Sequence, residues 1–205
     1  MLPLLSIAAA LANDIGTVGI GARLSGELLT DRSLALAYGS SSLSGEIYAL
    51  LPLPYHLQLG AAVGYRRMGG TLVDAQGQPT QTATWLWYAP VQVTVGGWLP
   101  VGSIRLHADV GPSVIPWEEQ QPPELALGVG SAGAKLGFVV EGGASVPIAL
   151  QRSLHSPDAG PAGLDVSIGV GYRHSFLRRS GCVGESPCGL SFSALKASVG
   201  LTLRL

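Results

Sequence analysis

Arg23, Glu27, Glu46, Arg66, Arg105, His107, Asp109, Lys135, Glu141, Asp165, Arg173, Lys196 and Arg204 stand in segments where apolar residues fill most of the intervening positions. If those segments are extended, successive side chains point to opposite faces, and every one of these groups lies on the same face. Their signs are nearly balanced. An isolated charge in a low-dielectric interior is costly, so the chemistry such a face suits is ion pairing. The expected arrangement sets Arg105, Lys135 and Arg173 against Glu46, Asp109, Glu141 and Asp165.

Nucleophilic catalysis has less to build on. Tyr172-Arg-His174-Ser175-Phe176 puts a histidine beside a serine, with Asp165 upstream as an acid. Neighbours in a strand face opposite ways, so His174 and Ser175 cannot readily share a proton. His107 reads as a hydrogen-bonding group, and His56 and His155 stand beside turns. The two cysteines, Cys182 and Cys188, have no histidines at metal-ligand spacing, so neither a metal nor another cofactor is expected. They flank Val-Gly-Glu-Ser-Pro. In an exported chain an even cysteine count favours a disulfide closing that small loop.

The elements that must carry these residues are strands. Leu195, Ala197, Val199, Leu201, Leu203 and Leu205 alternate with Lys196, Ser198, Gly200, Thr202 and Arg204. The same period of two recurs at Thr17 to Leu29, Leu43 to Leu53, Leu57 to Gly69, Thr84 to Gly97, Ser103 to Val114, Ala134 to Val146 and Leu164 to Phe176, which with the last stretch makes eight strands. Loops are expected at Gly69 to Ala83 and Pro116 to Pro123, and turns at Pro52 with Pro54 and at Leu99 to Gly102. The chain is 47% hydrophobic and 12% charged, with 29 glycines and a mean hydropathy of +0.36. That is too apolar for an ordinary soluble surface, yet no apolar run is long enough for a membrane helix. A closed antiparallel up-and-down transmembrane β-barrel resolves the conflict, because its lipid-facing and lumen-facing residues are interleaved. A soluble barrel would instead carry many ions on its polar face, where this chain has mostly Gly, Ser, Thr and Gln. A net charge of −1 gives no reason to expect nucleic acid as a partner.

Residues 1–12 read as the apolar core of a secretory signal, with Ala10-Leu11-Ala12 before a cleavage point and no Lys or Arg near Met1. Residues 13–205 then form one barrel domain. Links after the second and fourth strands are short, and those after the first, third, fifth and seventh are longer. Outer-membrane barrels keep short turns on the periplasmic side, so both termini are expected there. The stretch Pro147 to Gly163 is long for a periplasmic turn, and ten strands is the next count to consider. Trp85, Trp87 and Tyr65 are expected at the external membrane edge, with Tyr55 and Trp98 at the other. Arg67, Arg178 and Arg179 cluster near the external end, where guanidinium groups could meet glycolipid phosphates.

Ser198-Val-Gly200-Leu201-Thr-Leu203-Arg-Leu205 resembles the assembly signal of outer-membrane barrels: polar, any, Gly, any, any, hydrophobic, any, hydrophobic. Glycine-rich strands such as Leu59-Gly-Ala-Ala-Val-Gly-Tyr65 resemble the small eight-stranded barrels of the OmpA, OmpW and opacity-protein type. Those proteins usually end in an aromatic residue, whereas Leu205 stands here. The resemblance implies an outer-membrane location, contact with membrane lipid and recognition by the barrel-assembly machinery. A side-chain-filled lumen with a structural or surface-interaction role is the first expectation, with an unidentified ligand at the external loops. A narrow channel or lateral conduit for small, mainly apolar solutes is the second, and a lipid-modifying enzyme the third.

Overall fold

A computed structural model describes residues 18–73, 79–120, 131–149, 163–176 and 191–205. The strands are β1 (Gly19–Leu29), β2 (Ser41–Leu53), β3 (Leu57–Val73), β4 (Pro79–Tyr88), β5 (Val91–Val101), β6 (Ile104–Gln120), β7 (Ser131–Ala149), β8 (Gly163–Ser175) and β9 (Ala194–Arg204). One short helix, α1 (Arg32–Tyr38), lies between β1 and β2. Each strand pairs antiparallel with its neighbours, and β9 returns to pair with β1, which closes the sheet on itself.

The strands β4 and β5 are two halves of one stave. Along β3 the register runs from Arg66↔Tyr88 to Val63↔Val91 without a slip, and along β6 from Tyr88↔Trp117 to Val91↔Val114. The described residues therefore make an eight-staved barrel. Pro90 causes the break, since it has no N–H to give the ladder.

Facing follows the period of two. Ile20, Leu24, Ile47, Val93, Leu136, Ile168 and Leu201 are exposed on the outside, whereas Ser25, Glu27, Glu46, Arg66, Thr94, Lys135 and Arg173 are buried within. An apolar exterior around a polar interior is the order of a membrane barrel and the reverse of a soluble one. Among the described residues no helix is long and apolar enough to cross a membrane. The strands do the crossing.

Several strands run further than the sequence pattern indicates. The stretch expected to be a loop from Gly69 to Ala83 instead continues β3 to Val73 and begins β4 at Pro79. Likewise β6 continues through Pro116 to Gln120, where a loop was expected. Pro116 is tolerated because its neighbour across the ladder is the break itself: Ala89 N–H donates to the Pro116 carbonyl at 3.0 Å. No donor is missed at a place where the stave is already interrupted. The signal-like segment 1–12, Cys182, Cys188, Arg178, Arg179 and most of the long stretch after Pro147 lie outside the described residues.

Candidate functional site in the barrel lumen

The lumen is layered along its axis. At the end that carries the β1–β2 connection, α1 turns inward across the mouth. Asp31 caps it, its carboxylate accepting from Leu34 N–H at 3.0 Å, and the same side chain accepts from Ser191 N–H at 2.9 Å. Leu34 and Tyr38 of the helix pack with Leu29, Met68, Leu86, Ile115, Trp117 and Phe192 into an apolar plug inside the barrel. Tyr38 also donates a hydrogen bond to Glu119, and the Lys135 ammonium lies 5.8 Å from the centre of the Phe192 ring.

Beneath the plug sits a belt of charge. Glu27 on β1 accepts from Arg66 on β3 at 2.7 Å and from Arg173 on β8 at 2.7 Å, and Ser44 donates to its other oxygen at 3.0 Å. Tyr88 completes the belt, donating to Glu27 at 3.0 Å while accepting from Arg66 at 2.8 Å and Arg173 at 3.2 Å. Both guanidinium groups also lie near the Tyr88 ring, at 5.5 and 5.2 Å. One buried carboxylate thus serves two buried arginines.

A second tier follows. Arg23 pairs with Glu46 and, at 2.7 Å, with Glu141. Lys196 bonds the same two carboxylates, at 2.6 Å to Glu46 and 2.8 Å to Glu141. Register gives one of these pairs, Arg23 with Glu46 on the β1–β2 ladder, and not the others. Glu27 lies opposite Lys196 on the β1–β9 ladder, yet each turns to a partner across the lumen. Asp109 and Glu141 are directly opposite on β6 and β7, and the repulsion is avoided by sending Asp109 to the Gln58 amide at 2.7 Å.

Below these tiers the filling stops. A cavity of about 300 Å³ occupies the end that carries the β2–β3 and β5–β6 turns, bounded by Tyr48, Gln58, Trp98, Arg105, His107 and Asp165 among others. Arg204 holds Asp165 at 2.8 Å, while Arg105 stays 3.9 Å from the same carboxylate. Trp98 lines this cavity, with the Arg105 guanidinium 5.0 Å from its ring centre. Its place is the lumen mouth, not the lipid-facing girdle expected from sequence.

A closed, outward-apolar ring of eight staves with a charged interior decides the class. The fold is that of an outer-membrane β-barrel. Comparison with solved structures agrees: the chain is similar to the crystal structure of neisserial surface protein A, with a TM-score of 0.50 and 14% identity over 92% of this chain and 97% of that one. It is also similar to Ail, the attachment invasion locus protein of Yersinia pestis, solved with the heparin analogue sucrose octasulfate, at a TM-score of 0.48 and 11% identity over 93% and 97%. No family model and no curated protein matches the sequence. At these identities the likeness is one of fold.

The remaining sequence-derived residues divide by position. Ser198, Gly200, Leu201, Leu203 and Leu205 stand on or just after β9, Leu205 donating its N–H to the Val18 carbonyl at 3.0 Å across the β1–β9 seam. Gly200 is buried between Arg23 and Ser167, whose side chains would meet a Cβ at 3.0 Å. Arg67 points outward, its guanidinium 4.6 Å over the exposed Trp85 ring. His174 and Ser175 do not bond each other. His174 Nδ1 instead lies 3.2 Å from Ser193 Oγ, and Ser175 bonds Phe192 N–H and Ser191. Sequence reasoning missed Tyr88, Tyr38, Phe192 and α1. Tyr88 was legible by parity, being six residues from lumen-facing Thr94; the other three depend on how a connecting segment folds inward.

Proposed function

We propose that this outer-membrane barrel is a closed one, with a structural or surface-interaction role, and that it does not serve as a passage. The observation that carries the reading is the Arg66–Glu27–Arg173–Tyr88 belt beneath the apolar plug. A solute crossing the lumen would have to pull both guanidinium groups away from their shared carboxylate and move α1 out of the mouth, and breaking a buried pair costs about 3 to 5 kcal/mol. The short β2–β3 and β5–β6 turns face the periplasm in this reading, together with the seam end at Leu205, and α1 faces outward. Membrane lipid is the standing partner, with Arg67 on Trp85 placed to meet a lipid phosphate, and the barrel-assembly machinery reads β9 during biogenesis.

Planar-bilayer recording of the refolded protein tests the closed state. Silence, broken only by brief small events, is the expected result. Steady conductance from the parent protein would overturn it and favour a conduit, the second reading, which the unfilled cavity at the turn end supports.

A further inference from the structure

Among the cations of the described lumen, Arg105 lacks a full partner and faces the cavity at the turn end. Among the described residues the Arg105 guanidinium donates no hydrogen bond, and at 3.9 Å its contact with Asp165 is too long to be one. Asp165 is already held by Arg204 at 2.8 Å. Two arginines therefore share one carboxylate at the cavity mouth. A guanidinium is a planar fork with donors matched to a carboxylate, and here it is held open against the face of Trp98.

Aromatic side chains line part of the wall. Trp98 meets the His56 ring edge-on at 4.3 Å, and its backbone N–H donates to the His56 carbonyl at 2.8 Å. That carbonyl belongs to a turn in which Tyr55 and His56 both take positive φ, 62° and 61°, a conformation rare for residues with a Cβ. The Tyr48 ring lies over Gly21, where a Cβ would run into it. Lumen-facing Gly60 leaves its room to Thr94. Deeper in the cavity the charge changes sign: Asp109 faces in, held by Gln58, and Glu141 is shared by Arg23 and Lys196.

We propose that this cavity binds a small monocarboxylate with a flat, unsaturated ring, its carboxylate on the Arg105 fork and its ring beside Trp98. About 300 Å³ is at the lower end for ligand sites and suits one ring with short substituents. Asp109 and Glu141 would repel a second carboxylate at the far end. The site lies on the turn side of the charge belt, so it does not depend on whether the barrel conducts.

Benzoate, benzamide and terephthalate are the probes, titrated calorimetrically into the refolded protein in detergent. Benzoate should bind at one site per barrel with a Kd on the order of 1 mM or tighter. Benzamide, which lacks the charge, and terephthalate, which adds a second, should each bind about tenfold more weakly or worse, tenfold being about 1.4 kcal/mol. Arg105→Gln should erase the preference for benzoate over benzamide, Trp98→Leu should weaken both, and outward-facing Arg67→Gln should change neither. Retained heat-dependent gel mobility would show that each variant is folded. No saturable benzoate binding, equal binding of benzoate and benzamide, or an unchanged preference in folded Arg105→Gln would overturn the proposal.

Discussion

Toward the helix-bearing end, Leu34, Leu86, Tyr88, Ile115 and Phe192 have no exposed surface and the Arg66 side chain has none either. Toward the turn end, a third of the Arg105 side chain is exposed and its carboxylate partner stands 3.9 Å away. The same eight staves enclose both regions, so barrel size does not account for the contrast. Side-chain volume does: lumen-facing positions are large at one end and include Gly60, Ala62 and Gly96 at the other. Where the lumen is full, other side chains supply the ions' partners. Where it is hollow, water or a ligand can do so instead.

If this contrast is right, the largest effect belongs to Glu27. Glu27→Ala would strand Arg66 and Arg173 together in a dry layer, and the expected loss is about 3 to 5 kcal/mol, read by urea titration in detergent or lipid. The same variant should raise the frequency of small conductance events. Glu141→Ala should destabilise less, because Glu46 remains to serve Arg23 and Lys196. Equal losses for the two would erase the distinction between the belt and the tier below it.

Val93→Arg comes next, at about 2 to 4 kcal/mol, since it puts a cation on the lipid face. Thr94→Arg, one residue along, faces the hollow end and should cost less in the same titration. A harmless Val93→Arg would mean that the two faces are inverted.

Asp31→Ala should remove about 1 kcal/mol by uncapping α1, seen as faster proteolysis at the plug with the strands intact. Smallest is Arg105→Gln, expected to stay within about 0.5 kcal/mol of the parent by urea titration, as substitutions outside the tightly packed interior usually do. A loss as large as that of Glu27→Ala would show the turn end to be as tightly coupled as the belt.

The barrel was legible in the sequence because one physical rule, alternation, governs every strand. Facing of Arg23, Glu46, Asp109, Glu141 and Arg173 followed from parity alone. What parity could not supply was partner choice. Arg173 reaches Glu27 across β9 and Lys196 reaches Glu141, contacts set by stagger and side-chain length across the lumen and not by neighbours on a ladder. The expected opposition of Arg105 to Asp165 occurs only as a long contact, and Lys135 sits at the plug instead of among the carboxylates of the lower tiers. Strand ends failed for a different reason. Pro116 and the polar residues before Thr84 signal loops in water, but two prolines beside one break in a stave do not interrupt the sheet around it. The helix was hidden because Arg32–Tyr38 is too short to show a helical period of its own.

The cap of that helix reaches further than the helix. Asp31, just after the first strand, accepts from Ser191, just before the last, and Thr30 N–H donates to the Ser193 carbonyl at 3.0 Å. The latch of this mouth is therefore fastened to the seam where the first and last strands meet. Its packing on Met68, Leu86, Ile115 and Trp117 is available earlier in synthesis, but these two hydrogen bonds are not. A barrel still waiting for its final strand stays unlatched, and the sealing of the mouth becomes a mark that the last stave has been placed. Truncation before Ser191 should accordingly leave α1 more open to protease even where the preceding strands have formed.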